Sequence, residues 1–138
     1  MLRALTLICR ACRTPVHGDH GYLWADTQEV HSAHRARLDH EKRAKATDRP
    51  LDFHDFLSVP DPACWQAHHA RCDPQRDEAH YRISSGKLRS RADLLDWSAH
   101  LVGKVWVLSA TDWCTVMNEA RTGGHRLAVI PAALSRVL

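Results

Sequence analysis

Leu5-Thr6-Leu7-Ile8-Cys9-Arg10-Ala11-Cys12 is the stretch on which the reading of this chain turns. A short apolar run delivers two thiols three positions apart, a spacing that lets both sulfurs face one point at the tip of a β-hairpin and supply half of a tetrahedral zinc site. Thr14-Pro15-Val16 leaves this knuckle. His17-Gly18-Asp19-His20-Gly21 then carries the Gly and Asp that tight turns need, so residues 21–25 are expected to return as a second strand beside the first. The expected fold class is α+β in a single domain. It comprises a small zinc-stapled β-ribbon of zinc-ribbon or treble-clef type over residues 1–27, a charged helix over 28–48, and a mixed α+β body over 50–138. Three to four helices are expected in all.

Outward from the knuckle, Asp26 or Thr27 with Glu29 behind can cap a strongly charged helix over residues 29–46, too poor in apolar positions to be deeply buried. Pro50 ends it, and residues 51–57 read as a helical turn or strap. A helix over 63–71, stopped by Asp73-Pro74, and a strand over 81–83 follow. Ser90 with Asp93 predicts a capped helix over 91–102 with Leu94, Trp97 and Leu101 on one face and Leu95 and Val102 beside it. Gly103 ends that helix, residues 105–108 read as an extended connector, and Thr111 caps a helix through Glu119. A strand over 126–130 and a terminal helical turn over 131–138 complete the expectation.

The chain has 138 residues, 44% of them hydrophobic and 25% charged, which fits one soluble globular domain and neither a disordered nor a membrane protein. Eleven His and five Cys are the deviation from ordinary composition, and metal binding accounts for part of it. Residues 4–8 are too short for a signal-peptide core and are followed by Arg10 and Arg13, so a cytoplasmic location is expected. In that reducing compartment an odd number of thiols is better read as ligands and small buried side chains than as disulfides. Cys64 and Cys114 fall in the second group, and Trp97, Trp106 and Trp113 are expected in the core.

The net charge of +3 is unevenly spread: residues 50–80 carry two Lys/Arg against six Asp/Glu, whereas residues 81–138 carry eight against four. Residues 82–91 hold Arg82, Lys87, Arg89 and Arg91 without an acid, a candidate track for phosphate. Arg35, Arg37, Lys42 and Arg43 on the charged helix can add to it. The expected function is that of a small regulatory or accessory protein that binds nucleic acid, DNA before RNA. The alternative is a protein-interaction module, an inhibitor or adaptor of a partner protein. It would use the acidic segment of Asp52, Asp55 and Asp61 with Phe53 and Phe56. Oligomeric state is left open.

Four pairs can complete the metal site with Cys9 and Cys12: His69 with Cys72, His31 with His34, His17 with His20, and Cys64 with His68. A soft third thiolate favours His69 and Cys72, since structural Zn²⁺ is held well by sulfur. Enzyme readings fare less well. Neither the His-x-Glu nor the Pro-Cys-x-x-Cys of a zinc deaminase occurs, and His40-Glu41 lacks the second His of a zincin. An HNH-like metal-dependent nuclease would use His68 as general base, with the neighbouring His and Asp73 on a divalent ion.

The order CxxC, then Gly21-Tyr22-Leu23-Trp24-Ala25-Asp26, then Trp65-Gln66-Ala67-His68-His69-Ala70-Arg71-Cys72-Asp73-Pro74 runs on to Leu94-Leu95-Asp96-Trp97, Lys104-Val105-Trp106 and Thr111-Asp112-Trp113. It resembles uncharacterised small CxxC-containing proteins of actinobacteria and their phages, from Cys9 to about Val116. The resemblance implies His69 and Cys72 as the second ligand pair, through a Trp followed by His four positions on and Cys three further. It implies no activity.

Overall fold

The computed structural model describes residues 3–46, 60–74 and 80–131. Two three-stranded antiparallel sheets and four α-helices make up a single α+β domain among these residues. In chain order the strands are β1 (Arg3–Ile8), β2 (Pro15–Val16), β3 (Gly21–Asp26), β4 (Gln66–His69), β5 (His80–Ser84) and β6 (Leu127–Pro131). The helices are α1 (Thr27–Ala46), α2 (Arg91–Val102), α3 (Val105–Ala110) and α4 (Trp113–Thr122), with 3-10 turns at Ala70–Cys72 and Ser85–Lys87. The sequence readings at 51–57 and 132–138, and the acidic residues Asp52 and Asp55 with Phe53 and Phe56, lie outside the described residues.

The two Cys-knuckle strands do pair, but β3 is not their partner. β1 takes the two-residue β2 on one side (Leu7 opposite Val16) and β6 on the other (Leu5 opposite Val129), giving the order β2-β1-β6. β3 departs into the second sheet, order β4-β3-β5, with Leu23 opposite Ala67 on one neighbour and Ile83 on the other. The chain already returns along β1 at Pro15-Val16, so the turn at 17–21 feeds a new sheet. Gly21 makes the junction possible. A Cβ there would stand 2.2 Å from the His68 carbonyl oxygen and 2.7 Å from Val16, so no side chain fits where the two sheets meet.

Two further elements differ from their sequence reading. Residues 63–71 form no α-helix: Ala67, His68 and His69 are all buried in β4, since the central strand β3 needs a hydrogen-bonded neighbour on each edge, and only the 3-10 turn from Ala70 follows. Residues 105–108, rich in Val and Trp, are helical. Val107 and Ala110 are buried three apart while Val105 is 80% exposed, a period that only a helix gives, so packing overrides the β-preference of the residue types. On α2 the expected stripe is correct for Leu94 and Leu101, with Trp97 packed against the core, but Leu95 (69% exposed) and Val102 (61%) point away from it. α1 begins at Thr27, where Asp26 Oδ1 accepts from the amides of Gln28 (2.9 Å) and Glu29 (3.3 Å); of its residues only Val30 is buried.

The core lies between the sheets and α2 to α4, with Leu7, Leu23, Trp65, Ile83, Leu101, Val107, Trp113, Val116 and Leu127 almost fully enclosed. Each buried indole N–H has an acceptor: Trp24 on His68 Nδ1 (2.9 Å), Trp65 on Thr111 Oγ1 (3.0 Å), and Trp113 on Ser98 Oγ (3.1 Å). Arg126 is buried as well. Its guanidinium donates to Glu119 (2.6 Å from Nε), to the Asp112 carboxylate and to the Trp65 carbonyl, a network that ties β6 to α4 and to the start of β4. Burial pulls its charge the other way, yet the two carboxylates hold its pKa above the ordinary arginine value.

Candidate metal centre

The first half of the site is built by the turn after β1. Cys9 N donates to the Thr14 carbonyl (3.0 Å), closing the base of the knuckle, and Arg13 N reaches back to the Cys9 carbonyl (2.8 Å). That reach requires Arg13 to take φ of 62°, in the left-handed region that side-chain-bearing residues seldom occupy. Cys9 is fully enclosed and Cys12 is exposed. The second half comes from the end of β4 and the 3-10 turn that follows it, which carry His69 and Cys72. The halves are pinned by backbone hydrogen bonds, Arg10 N to the Ala67 carbonyl (2.8 Å) and Ala70 N to the His20 carbonyl (2.9 Å).

The ligand atoms of Cys9, Cys12, His69 and Cys72 all lie within 4.8 Å of one another. Around a tetrahedral ion with Zn–S bonds of about 2.3 Å the sulfurs stand roughly 3.8 Å apart, so the cluster is of coordinating size. The imidazole is also set correctly. His69 Nε2 lies 3.0 Å from the Pro15 carbonyl oxygen, which can only accept, so Nε2 carries the proton. Nδ1 is left with its lone pair, 3.3 Å from Cys12 Sγ. A ligating His oriented by a carbonyl on its other nitrogen is the usual second support of a metal site. Hydrogen bonds from Thr14, first its hydroxyl and then its backbone N–H, bring the Cys12 thiol down to about 6, while burial raises Cys72. The donor set fits a soft or borderline divalent ion.

Among the described residues this is the only group of three or more His, Cys, Asp or Glu with the geometry to hold a metal. His31 and His34 stand on α1, beside a cleft, and His17 and His20 lie exposed on the turn before β3. Cys64 is exposed, contrary to its expected burial, as is Cys114; with β4 a strand, Cys64 and His68 share no helical face. His68 is a core residue. The indole of Trp24 can only donate, so His68 Nδ1 is its acceptor and Nε2 holds the proton. Burial also lowers the basicity of this imidazole, whose ring lone pair already accepts the Trp24 N–H. Asp73, the carboxylate considered beside it, is buried and accepts from the Tyr22 hydroxyl.

The basic track divides in two. Lys87 and Arg89 are exposed. Arg91 donates to the carbonyls of Ala120 (3.1 Å) and Arg121 (3.0 Å), closing the end of α4, and Arg82 lies over the Tyr22 ring at 4.7 Å and 4.0 Å from Asp73. Sequence reasoning did not find the cations nearest the cluster: Arg10 and Arg13 on the knuckle and Arg71 between the ligands His69 and Cys72, all exposed. Their signal was their position, one residue after Cys9, Cys12 and Ala70. Arg71 joins His17, Asp19, His20, His69 and Ala70 around a cleft of about 460 Å³, and His17 also borders a smaller recess with Arg89.

Fold and site together define an α+β domain whose two sheets meet at a Cys3His cluster. Comparison with models of known protein families, with curated proteins and with solved structures gives no match. No described helix is long and apolar enough to cross a membrane.

Proposed function

We propose that Cys9, Cys12, His69 and Cys72 hold a structural Zn²⁺ ion as a zinc-ribbon-like staple, and that the domain acts by binding nucleic acid rather than by catalysis. The observation that carries this reading is the convergence of three thiols and one correctly protonated imidazole from two distant parts of the chain. Four protein ligands leave no open position for a reacting water, the mark of a structural rather than a catalytic zinc. Three thiols kept as ligands suit a reducing, cytoplasmic location.

The partner surface we infer lies beside the staple. His17 adjoins both Arg89 and the cleft of His20 and Arg71, while Arg10 and Arg13 extend the same charge onto the knuckle. Asp19 is the acid within it, and its carboxylate accepts the Ser84 hydroxyl (3.2 Å). Such a surface suits phosphate rather than base edges, so binding should weaken steeply with salt and discriminate little among sequences, with DNA the first ligand to try and RNA the second. A regulatory or accessory role in an actinobacterial cell or phage rests on the resemblance alone. The protein-interaction reading is favoured by one observation, the exposed pair Leu95 and Val102 on α2, apolar and outward-facing.

The experiment is metal content per chain on untagged protein and on Cys12→Ser and Cys72→Ser variants, followed by titration of random duplex DNA at increasing salt. One zinc per chain, lost in both variants, and duplex affinity that falls with salt and with Arg89→Ala support the proposal. Zinc retained by Cys72→Ser refutes the ligand set. Zinc with no duplex binding at low salt refutes the partner and leaves the interaction module.

A further inference from the structure

A second site lies at the Ala25 end of β3, away from the Gly21 end that pairs with His69, where α1 and α3 leave a cleft of about 380 Å³ between them. Its walls are Ala25 and Val30, Val105, and the aromatic pair Tyr81 and Trp106. The volume falls within the range of about 300 to 1,000 Å³ found for small-molecule sites, and an apolar lining with a few polar groups at its mouth is their usual composition. The aromatic wall is rigid. Tyr81 meets Trp106 edge-on at 5.5 Å, and Trp106 stacks on the fully buried Trp65 at 6.3 Å and 24°.

The mouth favours an anion. His31 lines it, and the Arg35 guanidinium, which has no acceptor, stands 3.1 Å from His31 Nε2. His31 Nε2 must therefore accept, which places the ring proton on Nδ1 as a donor, with the Arg35 charge behind it. Lys104 immediately precedes Val105 and holds its ammonium 5.6 Å from the centre of the Tyr81 ring. The acids at this end of α1 are committed elsewhere: Asp26 caps the helix, and Glu29 Oε1 accepts from the Cys64 amide at 3.2 Å.

From the aromatic wall, the apolar lining, the His31 donor and the Lys104 ammonium beside Tyr81, we propose that the α1/α3 cleft binds a planar aromatic carboxylate of one or two rings. Its rings would lie against Trp106 and Tyr81, with the carboxylate toward Lys104 and His31. This site is independent of the metal centre and of the nucleic-acid reading.

The test titrates the full-length metal-loaded protein with 2-naphthoate and with the neutral 2-naphthalenemethanol, following the Trp106 indole N–H by NMR. The expected result is saturable binding of 2-naphthoate at least about fivefold tighter than the alcohol, the advantage of a charge-assisted contact over a neutral one. In Lys104→Gln that preference should shrink while the alcohol binds as before, and in Val105→Trp, whose exposed position tolerates the change, both should weaken. Equal affinity for acid and alcohol, no saturation at millimolar concentration, or shifts confined to residues outside the cleft would each overturn the proposal.

Discussion

His69 donates from Nε2 to the carbonyl oxygen of Pro15, 3.0 Å away on the strand that follows the knuckle. One hydrogen bond thus joins the two halves of the cluster and fixes which nitrogen is free to coordinate. In long-range ¹⁵N–¹H spectra of the zinc-loaded protein, His69 is expected as the Nε2–H tautomer with Nδ1 shifted by metal. The opposite tautomer would contradict this geometry.

Removal of the metal should be felt first where the halves are laced together. The Arg10 amide, donating to the Ala67 carbonyl, is expected to lose hydrogen-exchange protection on chelation, whereas the amides that pair β1 with β6 keep most of theirs. Uniform loss across both would mean that the ion sustains the whole domain rather than the junction.

Ser98 sits between two partners, accepting from Trp113 Nε1 and donating to the Leu94 carbonyl (2.8 Å). Ser98→Ala leaves the buried indole N–H without an acceptor, at a cost of about 1 to 3 kcal/mol in urea unfolding. Ser98→Thr, which keeps the hydroxyl, serves as the control.

Arg126→Met strands the carboxylates of Glu119 and Asp112 and is expected to destabilise by about 3 to 5 kcal/mol. Adding Glu119→Leu should recover much of the loss, because the unpaired buried charge, more than the missing attraction, is the penalty. A double variant as unstable as the single one would show that the network acts through packing instead.

Arg89 and Arg91 are neighbours in the basic run with opposite expected behaviour. Arg89→Ala should reduce duplex affinity and lower the salt slope by roughly one ion, with little change in stability. Arg91→Ala should uncap α4 and lower the unfolding midpoint while leaving the salt slope where it was.

Local signals in the sequence were enough for what is local in the structure. The Ser90–Asp93 cap is present, with Ser90 Oγ accepting the Asp93 amide at 3.1 Å, and the charged helix starts beside Asp26 and buries only Val30, as its composition suggests. Cys9 and Cys12 declare themselves because their spacing alone brings the sulfurs together. His69 and Cys72 were favoured by their sulfur and by resemblance, yet the element that carries them was read as a helix. What makes it a strand is the demand of β3 for a second neighbour, which no window of sequence contains. The Arg126 network escapes for the same reason: seven and fourteen residues separate Arg126 from Glu119 and Asp112, and nothing between marks them as partners.

Cys12 and His69 stand 57 positions apart, so the cluster cannot exist on a growing chain until its second half has been made. Through that interval the knuckle holds two thiols and the long charged helix has no sheet to lie on. Completion of the cluster and the joining of the two sheets therefore both wait for β4 and the turn after it, and a chain interrupted before Gln66 carries half of the cluster and no junction.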